Sequence, residues 1–332
     1  MRYQTLGRTG LSVSQVAFGG LFVASFATEL EEAKRTVHRA VELGINYFDT
    51  APTYGNSEEV MGYAMRDLAQ PVILSTKLGG RPSPFLPKDP SCLLASVEES
   101  LRLLGRDTID ILMIHEPERP GQYDWWTNWQ DINGPVLEVL DGLKKQGVIK
   151  ALGLGGTTTT ELAYLCRSGK FDVVLTAYNY SLLWRESALE VIPAAKSQNM
   201  GIIIGSPLQQ GALARRFDAV MDDPTVYWLS KARREQYKAL YAFVDECGIA
   251  LTELAMRFII SNPDVDSVLM GARSVAEAES NIAAIDKGPL PADVLARLDA
   301  IAAMVPFRPF GEPFGIGWVL PNPHGYKGQG QA

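Results

Sequence analysis

The chain has 332 residues, of which 46% are hydrophobic, 21% charged and 9% aromatic. That is an ordinary globular composition, and the length suits either two average domains or one α/β barrel with additions. A net charge of −7 disfavours bare nucleic acid as a partner, because phosphate binding draws on a basic surplus.

In chain order, Met1–Ser14 reads as a β-hairpin that caps the end opposite an active face. Val16–Phe26 is apolar and follows Arg2 and Arg8, a faint imitation of a signal peptide. No A-x-A site follows it and it is too short to span a bilayer, so it reads as a buried strand entering a glycine turn in a cytoplasmic protein. Strands are expected at Val13–Phe18, Ile45–Thr50, Val72–Lys77, Ile109–His115, Ile149–Leu154, Val173–Tyr178, Gly201–Gly205 and Ser267–Met270. Most are near-continuous apolar runs, as when crossover helices cover both faces of a strand. Amphipathic stretches lie between them: Glu31–Leu43, Leu93–Leu104, Pro135–Gln146, Thr159–Arg167, Ser187–Ser197, Leu251–Ile260 and Val275–Ile285. Ser57 ahead of Glu58 and Glu59, and Thr252-Glu253, read as helix starts. Glu116–Asn133 is a long loop, and the chain from Val305 onward reads as an irregular tail able to fold over the barrel mouth.

Eight βα units without a linker predict a single (β/α)8 TIM barrel over residues 1–332, an α/β fold. An open doubly wound sheet is the runner-up, but Gly153-Leu154-Gly155-Gly156 lacks the third glycine of a dinucleotide fingerprint and sits mid-chain. Cys92, Cys166 and Cys247 cannot make a disulfide framework. His38, His115 and His324, with no H-x-H or H-E-x-x-H, argue against a metal site.

In a parallel barrel, functional groups stand at the C-terminal strand ends. Those ends carry Asp49, followed by Tyr54, then Lys77, then His115. A phenol with an ordinary pKa of about 10 exchanges protons poorly at neutral pH. A neighbouring ammonium favours the phenolate, an aspartate holds that cation, and a histidine can orient a substrate oxygen. Together these describe acid–base catalysis beside a carbonyl.

FDTAPTYG (Phe48–Gly55), STKLG (Ser75–Gly79), DILMIH (Asp110–His115) and SPLQQG (Ser206–Gly211) resemble the aldo-keto reductase superfamily. So do LGRTGLSVSQVAFGG (Leu6–Gly20) and VLMGARSVAEAESN (Val268–Asn281). Through VVLTAYNYSLL (Val173–Leu183) the chain looks most like the branch of L-galactose, L-fucose and pyridoxal dehydrogenases. The resemblance implies NADP(H) or NAD(H) as cofactor, a small carbonyl or sugar substrate, and Tyr54 as proton donor and acceptor tuned by Lys77 and Asp49. It also implies cofactor contacts at Gly20, Asp49, Ser206, Leu208, Gly211, Gly271, Arg273, Glu277 and Asn281. Arg273 suits the 2′-phosphate of NADP, while Glu277 would repel it.

Two departures stand out. Gly155-Gly156 replaces the usual Ser-Asn that holds the nicotinamide amide, a contact Asn179 is expected to take over. Gly205 replaces the usual stacking aromatic, leaving Trp184 or the tail to stack. In the loop after His115, Trp125, Trp126 and Trp129 among polar neighbours suggest flat faces for a sugar ring, or else packing against helices or a second subunit. A redox-sensing regulatory protein on the same barrel, like the potassium-channel β subunits, is the alternative to an enzyme.

Overall fold

A computed structural model describes residues 1–223, 225–226 and 229–308. Most of the expected tail, 309–332, lies outside the described residues. Two short strands, β1 (Tyr3–Thr5) and β2 (Ser12–Ser14), form an antiparallel hairpin. The next eight close a parallel barrel: β3 (Val16–Gly19), β4 (Tyr47–Asp49), β5 (Ile73–Leu78), β6 (Ile109–His115), β7 (Ile149–Gly156), β8 (Val173–Ala177), β9 (Gly201–Gly205) and β10 (Ser267–Gly271). β10 pairs with both β9 and β3, so no edge is left open.

The run expected as one strand from Val13 is two: Ser14 belongs to the hairpin and Val16 opens the barrel. Hairpin residues seal the N-terminal end. Leu6 packs against Gly201, where any side chain would collide with it, and Arg8 reaches the carbonyl of Gly169 at 3.0 Å and Asp172 at 3.2 Å.

Helices α1 (Leu30–Glu42), α2 (Ser57–Met65), α3 (Pro90–Leu104), α4 (Pro135–Lys145), α5 (Thr160–Arg167) and α6 (Val191–Ser197) alternate with the strands. α1 shows why: Ala33, Thr36, Val37 and Ala40 are buried at helical spacing while charged residues face out. Asp89 caps α3 by accepting from the Ser91 amide, and Gly105 ends it at φ 62°. Beyond β9 come α7 (Asp218–Asp222), α8 (Lys231–Cys247), α9 (Leu251–Ile260), α10 (Val275–Asp286) and α11 (Ala292–Ala303). Neither α8, capped by Ser230, nor α11 was among the expected helices.

The two expected helix starts are built differently. Ser57 turns its hydroxyl to the Gly20 carbonyl at 2.6 Å rather than to its own helix, and Glu253 binds Arg257 and Lys287. Among the described residues no helix is long and apolar enough to cross a membrane.

Side-chain alternation positions the chemistry. One stripe of inward residues (Tyr47, Ile111, Met113, Ala151, Val173, Leu175, Ile203, Leu269) fills the barrel interior. Two residues further along the same stripe come Asp49 on β4 and His115 on β6. On β5, Ile73, Ser75 and Lys77 follow the same period.

Candidate active site

At the C-terminal rim, Lys77 Nζ donates to Asp49 Oδ2 at 2.6 Å and to the Thr50 carbonyl at 2.8 Å. Ser75 Oγ donates to the other Asp49 oxygen at 2.7 Å, and the Tyr47 hydroxyl lies 2.9 Å from Ser75 Oγ. Both oxygens of the buried carboxylate are therefore satisfied, which such a group requires. Ser75 and Tyr47 were missed as support for Asp49. Their signal was the period-2 stripe shared with Lys77 and Asp49.

Tyr54 sits half-buried in the turn after β4. Lys77 Nζ is 4.8 Å from its ring centroid, and the His115 ring meets it edge-on at 6.0 Å between centroids. The four residues expected to converge do so. Burial pulls the Lys77 ammonium below the usual lysine range, opposed by the Asp49 charge. Burial, followed by repulsion from Lys77, holds His115 well below the ordinary histidine value, so its imidazole is neutral at neutral pH. Thr53 Oγ1 lies 3.4 Å from His115 Nδ1.

Beneath the rim, Glu116 accepts from Thr157 Oγ1 at 2.7 Å and pairs with Arg119 at 3.0 Å. Glu118 accepts from the Thr157 and Thr158 amides at 2.6 and 2.9 Å. Burial and the nearby Glu118 raise Glu116 to about 7; burial raises Glu118 as well.

The Gly155-Gly156 pair has a packing reason. A Cβ at Gly155 would lie 3.4 Å from Lys77 Cε, and one at Gly156 only 2.6 Å from both carboxylate oxygens of Glu118. An Asn at 156 would therefore displace Glu118. Asn179, expected to compensate, already donates from Nδ2 to the Thr157 carbonyl at 2.7 Å. At Gly205 a Cβ would press on Leu175 at 3.1 Å and Ala177 at 3.2 Å, so an aromatic side chain has no room. Trp184 is 1% exposed, with the guanidinium groups of Arg233 and Arg308 at 5.6 and 5.4 Å from its ring centroid, which keeps its ring off the open rim.

Two of the three tryptophans pack inward. Trp125 is fully buried, donates to the His115 carbonyl at 3.1 Å and lies behind Tyr123 and Phe85. Trp126 donates to the Pro117 carbonyl at 2.7 Å and meets Phe171 edge-on. Trp129 stacks on Tyr164 of α5. Large apolar indoles gain more from such burial than from a wet rim, so Trp125 and Trp126 form the wall behind the site, while Trp129 stays half-exposed. Besides Tyr54, a half-buried ring near the chemistry is Tyr123. A Cβ at Gly79 would lie 3.2 Å from that ring and 3.5 Å from His115 Cβ, so the two flank this glycine.

Among the expected cofactor contacts, Gly20 is buried, and a Cβ there would collide with the Asp49 carbonyl at 2.9 Å. Ser206 and Leu208 are half-buried in the turn after β9, and Gly211 has φ 105°. Gly271 ends β10 against the Phe22 ring. Arg273 precedes α10 and is held by Glu277 at 2.8 Å, while Asn281 is buried on that helix. A guanidinium beside the Ser274-capped N-terminus of α10 suits a phosphate group, as does a glycine turn at the barrel mouth. These parts fit a nicotinamide dinucleotide. Among the described residues no His, Cys, Asp and Glu cluster could hold a metal ion.

A charged pair enclosed under a tyrosine, with a neutral histidine opposite, is an arrangement that could move a proton at a polarised oxygen, set at the rim where a parallel barrel carries its chemistry. The aldo/keto reductase family model matches residues 16–303, and the chain belongs to that family. It is 32% identical to L-galactose dehydrogenase of Arabidopsis thaliana, over 85% of this chain and 87% of that protein. Identity to the D-threo-aldose 1-dehydrogenase of a Pseudomonas species is 28%, over 90% and 96%. A probable voltage-gated potassium channel subunit beta from rice (Oryza sativa subsp. japonica) is 27% identical over 93% and 98%. The holo form of aldo-keto reductase AKR11C1 from Bacillus halodurans superposes with a TM-score of 0.74 at 25% identity, covering 91% of this chain and 96% of that one. The chain is an NAD(P)-dependent oxidoreductase of carbonyl compounds and alcohols.

Proposed function

We propose that the protein interconverts an aldehyde, aldose or lactol with the corresponding alcohol or lactone, using Tyr54 as general acid and base. The observation that carries this reading is the buried Lys77–Asp49 pair set under the Tyr54 ring. A bound nicotinamide supplies the hydride in reduction and accepts it in oxidation. Tyr54 gives its phenolic proton to the carbonyl oxygen, or takes one from an alcohol. Lys77, fixed by Asp49, presents positive charge that stabilises the phenolate left behind. The neutral His115 ring donates a hydrogen bond that orients the reacting oxygen. Ser206, Leu208 and Gly211 would hold the pyrophosphate, and Gly271, Arg273, Glu277 and Asn281 would contact the adenosine. Arg273 supports a lean towards NADP.

The sugar reading draws on two relatives whose names specify galactose and an aldose, and on Tyr123. Its ring offers an apolar face for sugar C–H groups, with polar atoms of Thr53 and His115 nearby. The test is a spectrophotometric screen of NADH and NADPH against aldehydes and aldoses, and of both oxidised cofactors against the same sugars. Turnover of aldoses supports the assignment, and activity confined to apolar aldehydes overturns it. The similarity to channel β subunits favours the second reading, a regulatory protein, and failure to turn over any carbonyl would select it.

A further inference from the structure

The turn after β9 contains two non-glycine residues at positive φ, Ser206 at 54° and Gln209 at 48°. Such torsions cost on the order of 1 kcal/mol or more and persist only where surroundings impose them. At Gln209 the torsion follows Leu208 at φ −94° and ψ 14°. A right-handed residue followed by a left-handed one turns the backbone N–H groups on either side of the pair towards one concave side, an anion-binding nest; the Gln209 N–H itself donates to the Ser206 carbonyl at 3.0 Å, which closes the base of the turn. The backbone shape suited to a pyrophosphate therefore depends on holding Gln209 where it is.

Its side chain does the holding. Gln209 is fully buried, and its Nε2 donates to Ser181 Oγ at 2.8 Å. Its Oε1 accepts from the Tyr237 hydroxyl at 3.4 Å. Ser181 lies in the loop after β8, where its Oγ also accepts from the Trp184 amide at 3.1 Å. Tyr237 belongs to α8. One amide thus ties the turn after β9 to a neighbouring loop and to a helix outside the barrel.

The tie continues inward. Arg233 Nη2 donates to the Tyr237 hydroxyl at 3.4 Å, and Arg233 Nη1 donates to Gln236 Oε1. Gln236 Nε2 donates to the carbonyls of Ile301 and Ala302, at the end of α11, at 2.9 and 3.0 Å. Arg233, Gln236, Tyr237, Gln209 and Ser181 are all fully buried. With water excluded, removing one partner leaves another polar atom unsatisfied, which makes the network stiff.

We propose that Gln209 is a positioning residue for the cofactor: clamped between Ser181 and Tyr237, it holds the nest that receives the pyrophosphate. This rests on the NAD(P) reading above. The clamp acts through backbone shape, so it governs cofactor affinity and leaves the proton chemistry at Tyr54 alone.

The experiment titrates NADPH and NADH into the full-length protein by fluorescence, alongside kcat and KM. Gln209→Ala is expected to raise the cofactor Kd about tenfold, the scale of one lost buried hydrogen bond with its backbone consequence, and to keep kcat at saturating cofactor within about twofold. Gln209→Gly, which accepts positive φ without strain, is expected to bind more tightly than Gln209→Ala despite lacking the clamp. Tyr237→Phe removes one hydroxyl and gives a smaller rise in Kd; combined with Gln209→Ala it raises Kd no further, because Gln209 is then already released from Tyr237, and the Arg233 bond it also loses shows only in melting temperature. If Gln209→Ala does not fold, Tyr237→Phe carries the test alone. A lowered melting temperature with unchanged cofactor Kd in these variants overturns the proposal. Wild-type protein that binds neither cofactor overturns instead the reading on which it rests.

Discussion

Lys77 Nζ and Asp49 Oδ2 lie 2.6 Å apart with both side chains only 2% exposed. A pair this enclosed is costly to break: removing one partner of a buried ion pair typically costs 3–5 kcal/mol, because the other charge is left without compensation. Asp49→Asn is therefore expected to lose both stability and turnover. Tyr54→Phe, which leaves the pair intact, is expected to lose turnover alone, on the order of a hundredfold or more, with cofactor binding retained. Melting curves, cofactor titration and kcat separate the two. A Tyr54→Phe enzyme with near-normal kcat would rule out the proposed acid–base role.

Glu116 predicts a pH dependence of stability. Its carboxyl has a reference pKa of 4.5 and is raised to about 7 in the fold, chiefly by burial and then by Glu118. The fold therefore favours the protonated form. The associated stability is fully present below the unfolded pKa and is lost as pH rises through about 7. Glu116→Gln mimics the protonated group, so its melting temperature relative to wild type should improve between about pH 5 and about pH 8.5. Asp266, raised by burial to about 6, adds a parallel fall to both proteins, so the difference between them reports Glu116 together with its neighbour Glu118. A constant difference across that range would contradict the assignment.

The rim aromatics separate substrate contact from packing. Tyr123→Ala should raise KM for ring-forming pentoses and hexoses several-fold more than for glyceraldehyde, because only the sugar ring reaches across that face. Trp126→Ala should mainly destabilise, by roughly 3–5 kcal/mol as for other buried aromatic truncations, without changing the ratio of the two KM values. Equal KM effects of Tyr123→Ala on both substrates would remove the sugar face from the proposal.

Cofactor choice is expected to turn on Glu277. Its carboxylate holds the Arg273 guanidinium at 2.8 Å and accepts from the Arg273 amide at 2.9 Å, in competition with a 2′-phosphate. Glu277→Gln should raise the NADPH-to-NADH ratio of kcat/KM by up to about fivefold, the range of one exposed charge contact. Stability should scarcely change. An unchanged ratio, together with an unchanged ratio in Arg273→Ala, would place the 2′-phosphate elsewhere.

The barrel and its rim were legible in the sequence because both rest on short-range rules. Continuous apolar runs alternating with helical periods force a parallel sheet covered on both sides, and closure follows from eight such units. The same alternation sets Asp49, Lys77 and His115 at successive strand ends, so their convergence needed only the strand count. What tertiary structure decided was which side chains compete for the same space. Gly156 leaves room for Glu118, whose approach across the β6–β7 boundary no local pattern encodes. The tryptophans after His115 suited either a substrate face or packing, and Trp125 and Trp126 turn inward because Phe85 and Phe171 are there to receive them, whereas Trp129 stays half-exposed against Tyr164. Gln209 carries no signal in its neighbours, since its partners come from residues 28 positions away on either side, brought together only when the barrel closes and α8 docks. Periodicity along a chain reports which way a side chain points; what it meets there depends on elements distant in sequence, and packing alone selects them.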